Sequence, residues 1–201
     1  PLSLPLITML SRRRFLESAF VAAIAASLGA AEGNRAPRVV LRSSWQTVNI
    51  GDIAHTPGML VLLEKYFPEA EVTLWPSSVD NGVKEMLSAR FPKLQFVGSK
   101  PDVAKLYAEN DFLLHGSGPS LVGEKQVAMW RKQGPKPYGV LGITQGKPTP
   151  ETAEILSGAQ FVYFRDSVSL ATAKAAGVKC PVMEFGPDGA FATDLRNEEK
   201  A

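Results

Sequence analysis

The sequence predicts an α/β protein built on a Rossmann-like, doubly wound parallel sheet. Three observations carry that prediction. Short apolar runs alternate along the chain with segments of helical periodicity. The strand-like runs, V-V-L at 39–41 and F-L-L at 112–114, are apolar at consecutive positions, as in strands covered on both faces. Proline and glycine punctuate the joins, so each strand feeds a helix and then a parallel strand.

The elements follow in order. Residues 38–42 form a compact strand, and 53–66 carry apolar residues at helical spacing with Pro57-Gly58 near the first turn. Residues 71–75 are the second strand, stopped by Pro76. A helix over 82–91, a short strand at 95–97 and a helix over 102–109 come next. Residues 111–115 read as a buried strand, followed by a long helix over 121–133 that Gly134-Pro135 ends. The remainder is a strand at 138–143, a helix at 150–156, a strand at 160–164, a helix at 167–176 and a strand at 181–185. Gly177 suits the end of the last helix, because glycine turns left-handed at little cost.

Ahead of this frame lies S-R-R-R-F-L-E, 11–17, and then an alanine-rich run over 19–31. That run falls short of the ~20 residues a membrane crossing needs. A positive patch, a short apolar stretch and the small residues Gly29-Ala30-Ala31 fit a cleavable export signal. The paired arginines before Phe15-Leu16 look like a twin-arginine leader, which exports folded proteins. The expected division is therefore a leader over 1–31 (with a natural start at Met9), a domain over 32–195, and the beginning of a linker at 196–201. The expected location is the bacterial periplasm or envelope, reached through the twin-arginine machinery.

Charge is concentrated in the leader. Residues 1–31 hold three Arg and one Glu, so of 22 basic and 20 acidic residues 19 of each remain beyond it. No basic stripe is left for nucleic acid. The single Cys180 cannot form an internal disulfide, and its setting before Pro181 and a strand reads as a structural thiol. Two histidines and one cysteine give no metal-ligand spacing, no G-x-S-x-G elbow occurs, and neither a cofactor nor a stable membrane span is expected.

In a doubly wound sheet, ligands gather beyond the carboxyl ends of the strands. Four loops lie there. After the first strand, Asn49 can meet a ligand oxygen or brace the loop, Gly51 allows close approach, and Asp52 is placed to cap the next helix. His55, in that helix's first turn, is either a packed helix residue or an acid or ligand contact. The second loop runs H-G-S-G-P-S-L-V-G from His115. Its glycines and Pro119 favour a tight turn with open N–H groups facing an anion, and Ser117 and Ser120 are hydroxyl donors or caps. The glycines lack the dinucleotide spacing. The third loop holds Arg165 and Asp166 before Ser167 and Ser169; the pair either orients a substrate or locks loops together. In the fourth, Asp188 faces the cleft or shapes the turn.

V-N-I-G-D, D-F-L-L-H-G-S-G-P-S-L, Y-F-R-D-S-V-S-L and G-P-D-G-A-F, in that order, resemble the polysaccharide pyruvyl transferase family over roughly 39–195. The resemblance implies a two-domain, GT-B-like architecture and transfer of pyruvyl from phosphoenolpyruvate to a hydroxyl of an envelope polysaccharide. By motif, Asn49, Gly51 and Asp52 line the cleft, and Gly116 and Gly118 form the glycine turn, with Ser117 where the family often has a third glycine. Arg165, Asp166 and Ser169 match an R-D-x-x-S element, and Asp188 a late acidic position. Asp52 or His115, and then Asp188, are the candidate bases, and Arg165 orients an anionic group. The family's second half, which should supply basic residues for the donor, has no counterpart here, so the chain alone is expected to be an inactive fragment. The leader also points away from the cytoplasm, where phosphoenolpyruvate is made. Two other readings use the same frame: a non-catalytic envelope carbohydrate-binding protein, and a glycosyltransferase using nucleotide sugars.

Overall fold

A computed structural model describes residues 35–194. The expected leader over 1–31 and linker over 196–201 lie outside them. Seven parallel strands form one sheet in the order β3-β2-β1-β4-β5-β6-β7. The strands are β1 (Arg38–Ser43), β2 (Glu71–Pro76), β3 (Gln95–Phe96), β4 (Phe112–His115), β5 (Tyr138–Ile143), β6 (Phe161–Phe164) and β7 (Val182–Phe185). The helices are α1 (Ile50–Tyr66), α2 (Val83–Arg90), α3 (Val103–Glu109), α4 (Glu124–Gln133), α5 (Pro150–Ser157) and α6 (Ser167–Ala175). A 3-10 turn, Gly189–Ala192, ends the described fold. The chain is thus a Rossmann-like α/β protein, as the alternation of patterns predicts.

Successive side chains of a strand point to opposite faces, and here both faces are covered. Val39 and Leu41, Phe112 and Leu114, and Phe161 and Tyr163 pack with Met59, Leu60 and Leu63 of α1 and Leu87 of α2. The alternate residues Val40, Leu113, Val140 and Val162 pack with Leu106 of α3, Val127 and Trp130 of α4, Ile155 of α5 and Ala173 of α6. Helices that follow β1 and β2 lie on one face and those that follow β3 to β6 on the other. The winding therefore reverses between β1 and β4, which pair through Arg42 and His115 at their carboxyl ends. Such a reversal splits the loops apart and opens a crevice at that rim.

Two helix starts differ from the sequence reading. α1 begins at Ile50, because the Asn49 side chain accepts from the Gly51 N–H and caps it there. Asp52 thereby sits inside the first turn and is not the cap. α4 begins only at Glu124, so Pro119 lies in an open loop and not at a helix start.

Candidate functional site

The site is assembled where loops from the carboxyl ends of β1, β4, β5, β6 and β7 meet the first turns of α1. Past the edge strand β7, the chain crosses back over this rim. The 3-10 turn then lies on α1, fixed at three points: Gly189 N–H donates to Ser117 Oγ (2.7 Å), Thr193 Oγ1 donates to the Ala54 carbonyl (3.0 Å), and Gly58 meets the Gly189 backbone directly. A Cβ on Gly58 would stand 1.9 Å from the Gly189 carbonyl oxygen, so only glycine allows this approach.

That return carries Asp188 to the centre. Its Oδ1 lies 2.8 Å from His55 Nδ1 and accepts from the Ala190 N–H at 2.9 Å, and its Oδ2 accepts from Arg165 Nη1 at 2.7 Å. Burial works to raise the Asp188 carboxyl, but hydrogen bonds from His55, Ala190 and Arg165 outweigh it and hold the group below the usual carboxylate range. An ionised carboxylate only accepts, so His55 Nδ1 donates to it and Nε2 is the ring nitrogen directed away from the pair. Among the described residues Nε2 has no hydrogen-bond partner. Arg165 is braced on its other edge, with Nε donating to Thr144 Oγ1 at 2.7 Å. The result is a chain from Thr144 through Arg165 and Asp188 to His55.

The other predicted residues occupy the same rim. Asp52 is buried one turn before His55 and accepts from Gln46 Nε2 at 2.6 Å. Asn49 and Gly51 are exposed beside it. Asp166 pairs with Ser169, not with its neighbour Arg165: it accepts from the Ser169 N–H and hydroxyl, both at 2.7 Å, and caps α6. Those bonds from Ser169 hold its carboxyl below the ordinary range. Ser169 Oγ in turn accepts from the Gln145 N–H at 2.9 Å, joining the β5 and β6 loops.

The glycine loop after β4 is used internally. Gly116 N–H donates to the Arg42 carbonyl (3.0 Å), Gly118 N–H to the Gly142 carbonyl (3.3 Å) and Gly123 N–H to His115 Nε2 (3.0 Å). These three donors are therefore engaged within the protein and not turned to an anion. Ser117 is fully buried, its carbonyl accepting from Trp45 Nε1 at 2.6 Å. Gly142, at φ +70, leaves room for the Ser117 hydroxyl, which a Cβ there would approach to 2.4 Å. His115 is fully buried beneath Trp45, with ring centroids 4.9 Å apart. Burial, aided by the charge of Arg42, pushes its pKa down to about 3, so the ring is neutral and braces the loop.

Sequence reading singled out Asp188, Arg165, Asp52 and the glycine loop, and all of them lie on one rim. In sequence His55 reads as either a packed residue or a chemical one, and nothing marks Thr144. The contact that raises His55, to a residue 133 positions away, has no local signal. Among the described residues no group of His, Cys, Asp and Glu side chains is arranged to hold a metal, and no helix is long and apolar enough to cross a membrane.

Comparison with known proteins agrees with this frame. No curated protein matches the chain significantly. The family model for polysaccharide pyruvyl transferase matches residues 49–200, taking in α1 with Asp52 and His55, the glycine loop, the Arg165 loop and Asp188. With most of its length and the His55–Asp188–Arg165 chain inside that match, the chain belongs to the polysaccharide pyruvyl transferase family.

Proposed function

We propose that this protein transfers pyruvyl from phosphoenolpyruvate to a saccharide diol of an envelope polysaccharide, and that the His55–Asp188 pair moves the protons. The observation that carries the reading is the His55–Asp188–Arg165 chain, held on the carboxyl rim of the sheet. The chemistry balances without a cofactor. One acceptor hydroxyl adds to C2 of the enol phosphate while C3 gains a proton and becomes a methyl group. A second hydroxyl then displaces phosphate at C2 and closes the ketal. Of the two hydroxyl protons lost, one is matched by the proton on C3 and the other leaves on phosphate.

An imidazole oriented by a carboxylate suits both steps. His55 Nε2 takes a hydroxyl proton and, as imidazolium, returns one, while Asp188 fixes the tautomer and stabilises the charged ring. Arg165 holds Asp188 in place and adds positive charge beside an anionic donor. Asp52, one turn earlier on α1, would accept from an acceptor hydroxyl with the oxygen that Gln46 leaves free. A facing αβ lobe, as in a GT-B-like pair, would supply further phosphate contacts. With phosphoenolpyruvate as donor, the folded domain would act before the twin-arginine leader delivers it to the periplasm or envelope.

The test is direct. Full-length protein is incubated with phosphoenolpyruvate and envelope oligosaccharides, and the ketal methyl signal is followed by proton NMR alongside released phosphate. Equal amounts of the two are expected, with nucleotide sugars inert. Glycosyl transfer from a nucleotide sugar, or saccharide binding with no chemistry under any donor, would replace this reading with one of the two alternatives.

A further inference from the structure

The large apolar side chains left exposed among the described residues are unevenly placed. Met129 apart, they all sit on the carboxyl rim or on elements that open there, including Val48, Ile50, Val168 and Phe185. The most exposed is Phe191, at 87%. It lies on the 3-10 turn, three residues after Asp188. Its exposure does not come from a slack segment. The backbone N–H of Phe191 donates to the Asp188 carbonyl at 3.1 Å, Gly189 is tied to Ser117, and Thr193 is tied to α1. The fold thus anchors the backbone of an exposed aromatic residue three positions after the most densely hydrogen-bonded carboxylate of the rim.

We propose that Phe191 is the platform on which the acceptor saccharide stacks its C–H face; this rests on the acceptor reading of the rim above. A pyranose has one face of polarised C–H groups and an edge of hydroxyls. The negative π face of an aromatic ring attracts the former, and the His55–Asp188 pair suits the latter. An aromatic ring three residues from a carboxylate that is bonded to an imidazole matches that mixed surface. Phe191 sets the sugar plane, and Asp188, three residues earlier on the same anchored turn, is brought with His55 to one edge of it.

The experiment compares wild type, Phe191→Ala and Phe191→Trp in the full-length protein. Saturation-transfer NMR with methyl β-D-galactoside, methyl β-D-glucoside and methyl β-D-mannoside reads saccharide binding without any donor, and KM is measured for donor and acceptor separately. Phe191→Ala should weaken saccharide binding and raise the acceptor KM about tenfold, while the melting temperature and the phosphoenolpyruvate KM stay unchanged. Phe191→Trp should restore binding. Acceptor binding unchanged by Phe191→Ala overturns the proposal, as does a fall in melting temperature with both KM values altered, which marks the ring as covered by protein. No saccharide binding in wild type overturns it too. If saccharide binds through Phe191 but no pyruvyl is transferred, the platform stands and the transferase reading fails.

Discussion

Replacing Gly58 by alanine separates two opposed expectations. Gly58 lies within α1, where alanine is the better helix former by about 1 kcal/mol. Considered as a helix residue alone, Gly58→Ala should stabilise the protein by that amount. The new Cβ, however, would stand 1.9 Å from the Gly189 carbonyl oxygen and 2.7 Å from its carbon. Both atoms belong to backbone, which cannot swing aside as a side chain can. Forced overpacking typically costs about 1–3 kcal/mol, and a backbone overlap this deep belongs at the upper end. Subtracting the propensity gain leaves a net loss of about 2 kcal/mol. For a domain of this size that lowers Tm by roughly 4–8 °C. Urea unfolding with thermal melts measures the loss. Relief of the clash requires the 3-10 turn to lift from α1, which stretches the His55–Asp188 contact, so the His55 imidazole signals should shift as well. A variant at least as stable as wild type, with unmoved His55 signals, would refute the packing of Gly189 on α1.

Two further predictions concern the same rim. His115 stays neutral to about pH 3 in the fold, whereas an unfolded chain protonates it near 6.5. The unfolded state therefore takes up this proton first, and stability falls as pH drops below about 6.5, by about 1.4 kcal/mol per unit and about 2 kcal/mol at pH 5. His115→Gln should flatten that loss in urea titrations at pH 7 and pH 5; equal acid sensitivity in both proteins would contradict its burial. Ser117→Ala removes the acceptor for the Gly189 N–H, and leaving that buried donor unpaired should cost about 1–3 kcal/mol. The measurement is the urea midpoint together with faster hydrogen exchange at Gly189, and an unchanged midpoint would deny the link.

Much of the frame was legible because the physics that builds it is local. Runs such as Y-G-V-L-G-I and F-V-Y-F are short, apolar on both faces and bounded by turn residues, and they are strands β5 and β6 at nearly the expected ends. Helix starts were harder. Asn49 and Asp52 are both good caps, and the choice falls to Asn49 through its contact with the Gly51 N–H. Pro119 suggested a helix start, but the loop instead spends its amides on Arg42, Gly142 and His115, three contacts that only the folded sheet brings near.

The candidate site was legible in its members and not in its wiring. Asp188 and Arg165 stand out as charged residues at strand ends. Nothing within a few residues reveals that β7 is followed by a return across the sheet to α1. That crossing makes His55, an unremarkable helix histidine in sequence, the partner of Asp188. It also divides the two histidines. His115 is fully buried with its Nε2 engaged by Gly123, whereas His55 is oriented by a carboxylate and keeps Nε2 without a protein partner among the described residues.

The most direct measurement exploits that division. Pyruvyl ketal formation from phosphoenolpyruvate is compared for wild type, His55→Gln and His115→Gln in the full-length protein. Loss of the proton-transferring imidazole should lower kcat by about 10²–10⁴ in His55→Gln, while His115→Gln keeps kcat within a few-fold of wild type. Full activity in His55→Gln, with activity lost only when His115 is replaced, would contradict the account.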